Sequence, residues 1–367
     1  MASMVKKIFK SSISNIQRIR DVLRRKIAIV FFDKKKNFSM DAILSQDKLR
    51  VLVWRLDAKW GDSIISSFFY REIKKHNGVE VIVITTSDLY ALYKDIYKAD
   101  SVYVLNKRPA YSDLWKIARD IGHVDVVVHL TEAMKMKEMF FISLLAYKTV
   151  FSLDDELYMV SHKMRIKTKG VTFRDKYKII LSELGLDNVD TSYIIPLHET
   201  GRDSFNIVVN PFGSTEKKSI SIENSKSLIK KLSDEFPDKR IGIISSPSTY
   251  DKALKILARD GDNVRVEIVG GVNSFYDAVE VINNADLIIS VDTALVHVAD
   301  GLGKSLVAVF PKNNEEFNPW LPTMNISNKV VFSHANGIDV NLNNYNESEL
   351  IDKVRFFIKS EKDAQDR

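Results

Sequence analysis

The sequence predicts an α/β protein built as two halves, each with a parallel sheet covered by helices on both faces. Short apolar runs alternate with amphipathic helical stretches from Leu49 onward, as parallel strands joined by crossover helices require. The alternation stops in a polar, helical stretch at residues 154–190 and then begins again. With 367 residues, the chain is long enough for two domains of ordinary size.

Nine strands are predicted, four in the first half and five in the second. Those of the first half are Arg50–Leu56, Glu80–Thr85, Ser101–Leu105 and Asp125–Leu130, and a helix over Asp62–Lys75 follows the first of them. Those of the second half are Phe205–Asn210, Arg240–Ser245, Val264–Val269, Ala285–Val291 and Ser305–Phe310.

The same pattern gives the domain boundaries. We expect an N-terminal extension at residues 1–48, a first domain at 49–195 and a second at 196–345. Residues 346–367 are predicted as a C-terminal helix and are a candidate to pack back on the first domain.

The composition is that of a globular protein, with 45% apolar and 28% charged residues. Cysteine is absent, which excludes disulfides and thiolate chemistry and fits a reducing cytoplasm. The longest apolar run near the start, Ile27–Phe32, is far shorter than the ~20 residues of a membrane span. We therefore expect neither a signal peptide nor a membrane anchor.

The net charge of +6 is concentrated at the N-terminus. Residues 1–36 contain eleven Lys and Arg against Asp21 and Asp33, a net charge of +9, whereas the rest of the chain is slightly acidic. Apolar residues recur between these cations at helical spacing, which is typical of a basic amphipathic helix on an anionic lipid leaflet. An extension packed on the protein with solvated charges is the alternative. Nucleic acid is a poorer partner, because no base-stacking motif accompanies the charge.

Common nucleotide-dependent and hydrolytic motifs are missing. No GxGxxG follows the first strand, and GxxxxGK[ST], HExxH and GxSxG do not occur. These absences argue against NAD-dependent dehydrogenases, P-loop NTPases, zincins and α/β-hydrolases.

Three segments at the carboxyl ends of predicted strands carry candidate chemistry, since open parallel sheets bind ligands at that edge. The first is Gly61-Asp62, after the first strand. The Asp62 carboxylate could accept a proton from an acceptor hydroxyl, or it could simply cap the following helix.

The other two segments belong to the second half. Asn210–Lys218 offers Ser214, Thr215 and Lys218 to a phosphate group, with a surface turn as the alternative. In Ser290–Ala299, Asp292 and Thr293 cap a helix and His297 follows one turn later. An anion at that helix start would meet backbone N–H groups, the helix dipole and an imidazole, although a capped helix with a packed histidine gives the same pattern.

Together these segments resemble the bacterial ADP-heptose heptosyltransferases of glycosyltransferase family 9, over roughly residues 49–335. Arg55–Asp62 matches the family's Arg-x5-Gly-Asp turn, and Asn210–Ser221 loosely matches its Asn-Pro-Gly turn ahead of Lys-Arg-Trp-Pro. Asp292–Ala299 matches Asp-Thr/Ser-Gly-x-x-His-x-Ala, the most specific stretch, and Gly270–Phe275 resembles the short glycine turn before it. The resemblance implies the GT-B fold, in which two Rossmann-like domains face a cleft.

The resemblance also implies roles for individual residues in an inverting transfer of heptose from ADP-heptose to the lipopolysaccharide inner core. Asp62 is then the catalytic base, and the donor-binding residues are Ser214, Thr215, Lys218, Asp292, Thr293, Ala294 and His297. The acceptor is a lipid A–Kdo core, whose phosphates Lys163, Arg165 and Lys167 could meet. No cofactor or metal is expected, and the enzyme would be cytoplasmic and peripheral on the anionic inner face of the inner membrane.

Three departures from the family pattern keep alternatives open. Ala294 replaces a glycine, Lys218–Ser221 replaces Lys-Arg-Trp-Pro, and Pro311–Asn314 replaces a Gly-Pro-Thr-like turn. A GT-B transferase for another nucleotide sugar, a sugar-nucleotide epimerase and an inactive membrane-associated scaffold therefore remain alternatives.

Overall fold

The computed structural model describes residues 17, 19–35, 40, 43, 47–57, 59–198, 201–257, 265–312, 318–322, 329–334 and 341–365. The described chain forms two compact units. The first comprises residues of the ranges 1–58, 69–171 and 175–190, and the second comprises residues of 59–68, 172–174 and 191–367. Each unit contains one six-stranded parallel sheet, which confirms the predicted α/β fold with two Rossmann-like domains.

The sheet of the first unit has the order β3-β2-β1-β4-β5-β6 and is parallel throughout. Its strands are β1 Leu49–Trp54, β2 Val79–Thr85, β3 Ser101–Val104, β4 His123–His129, β5 Ala146–Ser152 and β6 His162–Lys163. The helices begin with α1 over residues 19–32, and the next wholly within this unit are α4 Tyr111–Ile121, α5 Met136–Leu144 and α6 Met164–Lys167. The chain reverses direction across the sheet between β1 and β4, which is the order of a doubly wound dinucleotide-binding fold.

The sheet of the second unit repeats this arrangement, with the order β12-β11-β10-β7-β8-β9. Its strands are β7 Phe205–Asn210, β8 Ile241–Ile243, β9 Val266–Ile268, β10 Ala285–Val291, β11 Ser305–Phe310 and β12 Val330–Phe332. Its helices are α2 Trp60–Ile65, α8 Ile222–Glu235, α9 Tyr250–Leu257, α10 Phe275–Asn283, α11 Ala294–Gly301 and α12 Glu347–Gln365. Two further helices, α3 Ser67–Ile73 and α7 Phe173–Glu183, have residues in both units.

Buried aliphatic side chains fill both faces of the second sheet. Ile64 of α2 belongs to the core on one face, together with Val296 and Val298 of α11. Leu350 and Val354 of α12 belong to the core on the other face, so the C-terminal helix packs within the second unit.

Several elements differ from the sequence-based expectations. The single helix predicted over Asp62–Lys75 is two helices, because the Ser66 hydroxyl donates hydrogen bonds to the backbone carbonyls of Asp62 (2.8 Å) and Ser63 (3.2 Å) and competes with the helical pattern. Strands β5, β6 and β12 were not predicted. Strands β6 and β12 have only two and three residues, too few for a strand periodicity, and in β5 the polar residues Lys148 and Thr149 interrupt the apolar run.

The predicted basic helix is described only from residue 19 onward, apart from Gln17, so most of its N-terminal part lies outside the described residues. In the part of the chain that the structure describes, no helix combines the length and apolarity needed to cross a membrane.

Candidate functional site

The chemistry-bearing segments of the second unit meet at the carboxyl edge of its sheet. Strands β7 and β10 are neighbours, and Asn210 at the end of β7 is in register with Ser290 near the end of β10. The chain leaves β7 toward β8 on one side and returns at β10 on the other. This is the point where a doubly wound sheet leaves a crevice for a ligand.

The segment after β7 folds back on itself in a tight turn. The backbone carbonyl of Lys218 lies so close to Gly213 that a Cβ on this glycine would be 2.0 Å from the oxygen. The Gly213 N–H donates to the Ser219 hydroxyl at 2.9 Å. Thr215 precedes the short helix Glu216–Lys218, and its hydroxyl accepts a 3.3 Å hydrogen bond from the Lys218 N–H. Because the turn needs glycine at 213, its backbone path is specified locally.

This turn brings Lys218 to the end of β10. The Lys218 ammonium lies 3.3 Å from the Asp292 carboxylate, and both side chains are partly buried. Ser214 and Thr215 are exposed on the same turn. The two predicted donor-binding segments therefore share one site, in which a cation is already paired with a carboxylate.

Helix α11 begins directly after this pair. Thr293 has the extended backbone of an N-cap residue, with φ −144° and ψ 173°. Its hydroxyl makes no capping hydrogen bond, contrary to the expected cap. Instead it accepts a hydrogen bond from the Asn210 amide at 3.2 Å, and that amide also donates to Ser290 Oγ at 3.0 Å. The first-turn N–H groups and the positive end of the helix dipole thus lie beside Lys218.

His297 is buried in α11, with 4% of its surface exposed. A Cβ on Gly61 of α2 would lie 3.1 Å from the His297 ring and 3.4 Å from the Cα of Ala294. The two helices touch because residues 61 and 294 are small. Burial lowers the pKa of His297, although the charges of Asp292, Asp62 and Asp300 act in the opposite direction. The imidazole is therefore neutral at pH 7 and packed, rather than a solvent-exposed cation.

Asp62 belongs to the same compact unit as His297 and the donor segments. Its residue is buried, and its carboxylate accepts a 2.8 Å hydrogen bond from the indole N–H of Trp320. The ammonium of Lys59 lies 3.8 Å from the other carboxylate oxygen. Asp62 occupies the first turn of α2, but Lys59 is the N-cap residue, so the carboxylate does not have the simple capping role considered from the sequence.

Two stacked pairs of aromatic residues lie next to Asp62, one through the hydrogen bond of Trp320 and the other through Trp60 of the same helix. Trp320 stacks on Phe173, with ring centroids 5.9 Å apart and an interplanar angle of 17°. Trp60, two residues before Asp62, stacks on Phe275 at 4.2 Å. No motif marked Trp320 or Phe173, since an isolated aromatic residue carries no periodic signal. Trp60 and Phe275 lie within motif stretches, but no role was predicted for them.

The three acceptor-binding candidates lie together in the first unit, at β6 and α6. The Arg165 guanidinium donates to the backbone carbonyls of Leu153 (2.9 Å) and Glu132, and Lys167 forms an ion pair with Glu183. Lys163 is exposed on β6. Two of the three cations are thus engaged within the unit.

Comparison with known protein families gives one match. The sequence profile of the family described as glycosyltransferase family 9 (heptosyltransferase) matches residues 146–344, more than half of the chain. The matched range contains Lys218, Asp292, His297 and Trp320, whereas Asp62 lies before it.

Solved structures give fold-level matches. A glycosyltransferase family 9 structure from Veillonella parvula has a TM-score of 0.67 at 16% identity, over 86% of this chain and 99% of that one. The ADP-heptose LPS heptosyltransferase II of E. coli has a TM-score of 0.60 at 15% identity, over 86% and 100%. E. coli heptosyltransferase WaaC, solved with ADP-2-deoxy-2-fluoro heptose, has a TM-score of 0.60 at 15% identity, over 85% and 100%. No sequence match was found among curated proteins.

Proposed function

We propose, because this chain belongs to glycosyltransferase family 9, that it transfers a heptose from ADP-heptose to the lipopolysaccharide inner core. That the protein is a heptosyltransferase-family glycosyltransferase with the GT-B fold is the premise. The supporting observation is that one compact unit contains both parts of the site. The Lys218–Asp292 pair and the start of α11 lie at the carboxyl ends of β7 and β10, and Asp62 lies on α2, which packs against α11 through Gly61.

In the proposed mechanism, Asp62 is the general base of an inverting displacement. Its carboxylate takes the proton of an acceptor hydroxyl while that oxygen forms a bond to the anomeric carbon of the sugar. The bond from the anomeric carbon to the diphosphate breaks on the opposite face, and its electron pair leaves with ADP. The Trp320 N–H binds one carboxylate oxygen, which supports a base of fixed orientation. The other oxygen, 3.8 Å from the Lys59 ammonium, is the one that takes the proton of the acceptor hydroxyl in this proposal.

The departing diphosphate needs positive charge where its negative charge develops. Lys218 and the first-turn N–H groups of α11 supply it. In the free protein Lys218 is paired with Asp292, so the diphosphate replaces this partner on binding. Asp292 is then available to accept a hydrogen bond from a sugar hydroxyl, while Ser214 and Thr215 add hydroxyl donors to the outer phosphate.

The acceptor in this proposal is a lipid A–Kdo core. Its phosphates are attracted to the cluster of Lys163, Arg165 and Lys167 in the first unit, of which exposed Lys163 is the most available. The reaction then takes place at the inner face of the inner membrane, on the cytoplasmic side. E. coli heptosyltransferase II is named for ADP-heptose and LPS, and E. coli WaaC was solved with ADP-2-deoxy-2-fluoro heptose, which supports an ADP-heptose donor and an LPS acceptor here.

Calorimetric titration with ADP, UDP and GDP tests the donor. We expect ADP to bind most tightly, and we expect Lys218→Ala to weaken ADP more than it weakens AMP, because the contact is to the outer phosphate. Tighter binding of UDP or GDP would reject ADP-heptose and leave a transferase for another nucleotide sugar. Equal loss of AMP and ADP would reject the assignment of Lys218 to the outer phosphate.

A further inference from the structure

Helix α1 has two apolar faces, and the fold uses one of them. Ala28 is fully buried in the core of the first unit, with Ile29 and Phe32 packed beside it. Arg25, one turn earlier, donates two hydrogen bonds to the buried carboxylate of Asp154, at 2.7 and 2.8 Å. Residues 25, 28, 29 and 32 follow helical spacing, so this face fixes how the helix lies on the unit.

The opposite face of α1 is apolar and exposed. Its residues are three, four, eight and eleven positions apart, which puts them in one stripe along the helix. They are Ile19, Val22, Leu23, Ile27 and Val30. Val30 is 79% exposed, and Phe31 on the flank of the stripe is 65% exposed. A contiguous exposed apolar surface of this kind marks an interaction site.

Cations surround this stripe. Arg20, Arg24 and Lys26 are exposed on α1, and Lys34 and Lys35 follow its end. Their aliphatic stems can lie along an apolar surface while the charged groups reach phosphates. The sequence adds further charge, with a net +9 over residues 1–36.

An aromatic edge on two other helices is linked to the end of α1 by ring contacts. Ring contacts run from Phe31 to Phe32 (6.4 Å), from Phe32 to Phe140 of α5 (5.5 Å) and from Phe140 to Tyr111 of α4 (5.0 Å). Tyr111 is 41% exposed, and Trp115, one turn along α4, is 47% exposed. The Lys137 ammonium lies 5.1 Å from the Tyr111 ring centroid and the Arg119 guanidinium 5.4 Å from that of Trp115. Amphipathic aromatic rings next to cations are typical of the headgroup level of a membrane.

We propose that this surface, formed by the outward stripe of α1 and the aromatic edge of Tyr111 and Trp115, docks the first unit on an anionic lipid bilayer. The apolar stripe enters the boundary between headgroups and acyl chains, and the cations bind lipid phosphates. Charge favours an anionic bilayer over a second copy of the chain, because a second copy would bring together two segments that each have a net charge of +9. The sequence left open whether this helix packs on the protein or lies on lipid. In this proposal both hold for α1, since its inner face packs on the protein and its outer face meets the lipid. The inference rests on the membrane location in the proposed function and deepens it by naming the surface that meets the lipid, although lipid binding itself requires neither donor nor acceptor.

Co-sedimentation of the full chain with vesicles tests the proposal. The variant Leu23→Glu/Val30→Glu places two carboxylates on the exposed stripe, and Leu254→Glu on α9, where Leu254 is 45% exposed, is the matched control. On phosphatidylglycerol vesicles we expect the double variant to bind about tenfold more weakly or worse, and the control to bind like the wild type. Wild-type binding should fall on phosphatidylcholine vesicles and at high salt, since both reduce the attraction of the cations.

Two further measurements keep the result specific. Circular dichroism of the double variant should match the wild type, because both positions are exposed, and Trp115→Ala should weaken binding as an independent variant on another helix. Equal vesicle binding by the wild type, Leu23→Glu/Val30→Glu and Trp115→Ala would overturn the proposal. A wild-type dimer that Leu23→Glu/Val30→Glu converts to a monomer, without a change in vesicle binding, would instead assign the surface to self-association. Turnover of a delipidated acceptor should persist in the double variant, so failure of docking is distinguishable from failure of the proposed activity.

Discussion

The indole N–H of Trp320 donates a 2.8 Å hydrogen bond to the carboxylate of Asp62, although 258 positions separate the two residues in the sequence. Stacking on Phe173 holds the indole plane, and α2 holds the carboxylate. A base that must meet a hydroxyl at hydrogen-bond distance benefits from such a fixed orientation. Trp320 is therefore a positioning residue for Asp62 in the proposed reaction.

Removing the carboxylate charge tests the base directly. We expect Asp62→Asn to lower kcat on the order of 10²–10⁴-fold, because the variant cannot take up the acceptor proton. ADP affinity should stay near the wild-type value, and Asp88→Asn, which changes an exposed carboxylate, should leave both quantities unchanged. Near-normal turnover by a folded Asp62→Asn protein would show that the carboxylate is structural.

Removing the indole N–H while keeping an aromatic ring tests the positioning role. We expect Trp320→Phe to lower kcat several-fold with little change in ADP binding, and to reduce the free energy of unfolding by about 1 kcal/mol for the lost hydrogen bond. Combining it with Asp62→Asn should add no further loss of kcat, since the partner carboxylate is already gone. An additive loss would mean that Trp320 acts independently of Asp62.

Substitutions of Lys218 and of Asp292 are expected to change ADP binding differently. Lys218→Ala should weaken ADP binding by about 1.5–3 kcal/mol, the range for a hydrogen bond to a charged group. Asp292→Asn should leave ADP affinity unchanged or increase it, because it removes a competing partner and a negative charge beside the diphosphate. The kcat of Asp292→Asn with the sugar donor should fall, since residue 292 then accepts a weaker hydrogen bond from the sugar hydroxyl.

Calorimetry with ADP measures both variants, and Lys217→Ala on the same turn is the matched control. A large loss of affinity in Asp292→Asn would show that the carboxylate supports the donor site instead of competing with the diphosphate for Lys218.

The contact between α2 and α11 predicts a coupled packing effect. Gly61→Ala adds a Cβ 3.1 Å from the His297 ring and 3.4 Å from Ala294 Cα, so we expect it to reduce the free energy of unfolding by about 1–3 kcal/mol. In the double variant with His297→Ala the ring is absent, and the cost of the added methyl should be smaller. Urea unfolding of the four proteins in this cycle measures the coupling. Strict additivity of the two changes in unfolding free energy would mean that the His297 ring does not restrict the space for the added methyl group.

Burial of His297 predicts a pH dependence of stability. Its pKa is lowered in the folded protein, so the unfolded chain takes up the proton first as pH falls below about 6.5, and stability decreases from there toward the folded pKa. Unfolding free energies between pH 7 and pH 5 should therefore decline less steeply in His297→Gln than in the wild type. His162, whose pKa burial also lowers, retains its share of the slope. Identical slopes would show that His297 is protonated alike in both states.

The sequence predicted the fold and the strand ends because both depend on local patterns. Buried parallel strands read as apolar runs, and the polar residues after β7 and β10 fall at one edge once the sheet is parallel. Strand β7 and strand β10 agree with the predicted bounds at both ends. By contrast, β8 is shorter than predicted at both ends, although backbone hydrogen bonds join Arg240 and Ile244 to β7 beyond its bounds.

The contacts that orient the site were not predictable from the sequence. The pairing of Lys218 with Asp292, the hydrogen bond from Asn210 to Thr293 and the Trp320–Asp62 bond all join residues more than 70 positions apart. The burial of His297 depends on a glycine in another helix. The break at Ser66, by contrast, has a local cause, but Ser within an apolar helical stretch is an ambiguous signal.

A transfer assay with ADP-heptose and a lipid A–Kdo acceptor measures the proposed reaction itself, by mass spectrometry of the acceptor and by release of ADP. We expect the wild type to add heptose to the acceptor with one ADP released per heptose, and Asp62→Asn to do so on the order of 10²–10⁴-fold more slowly. Transfer of a different sugar from a UDP or GDP donor, with none from ADP-heptose, would show that the protein is not an ADP-heptose transferase.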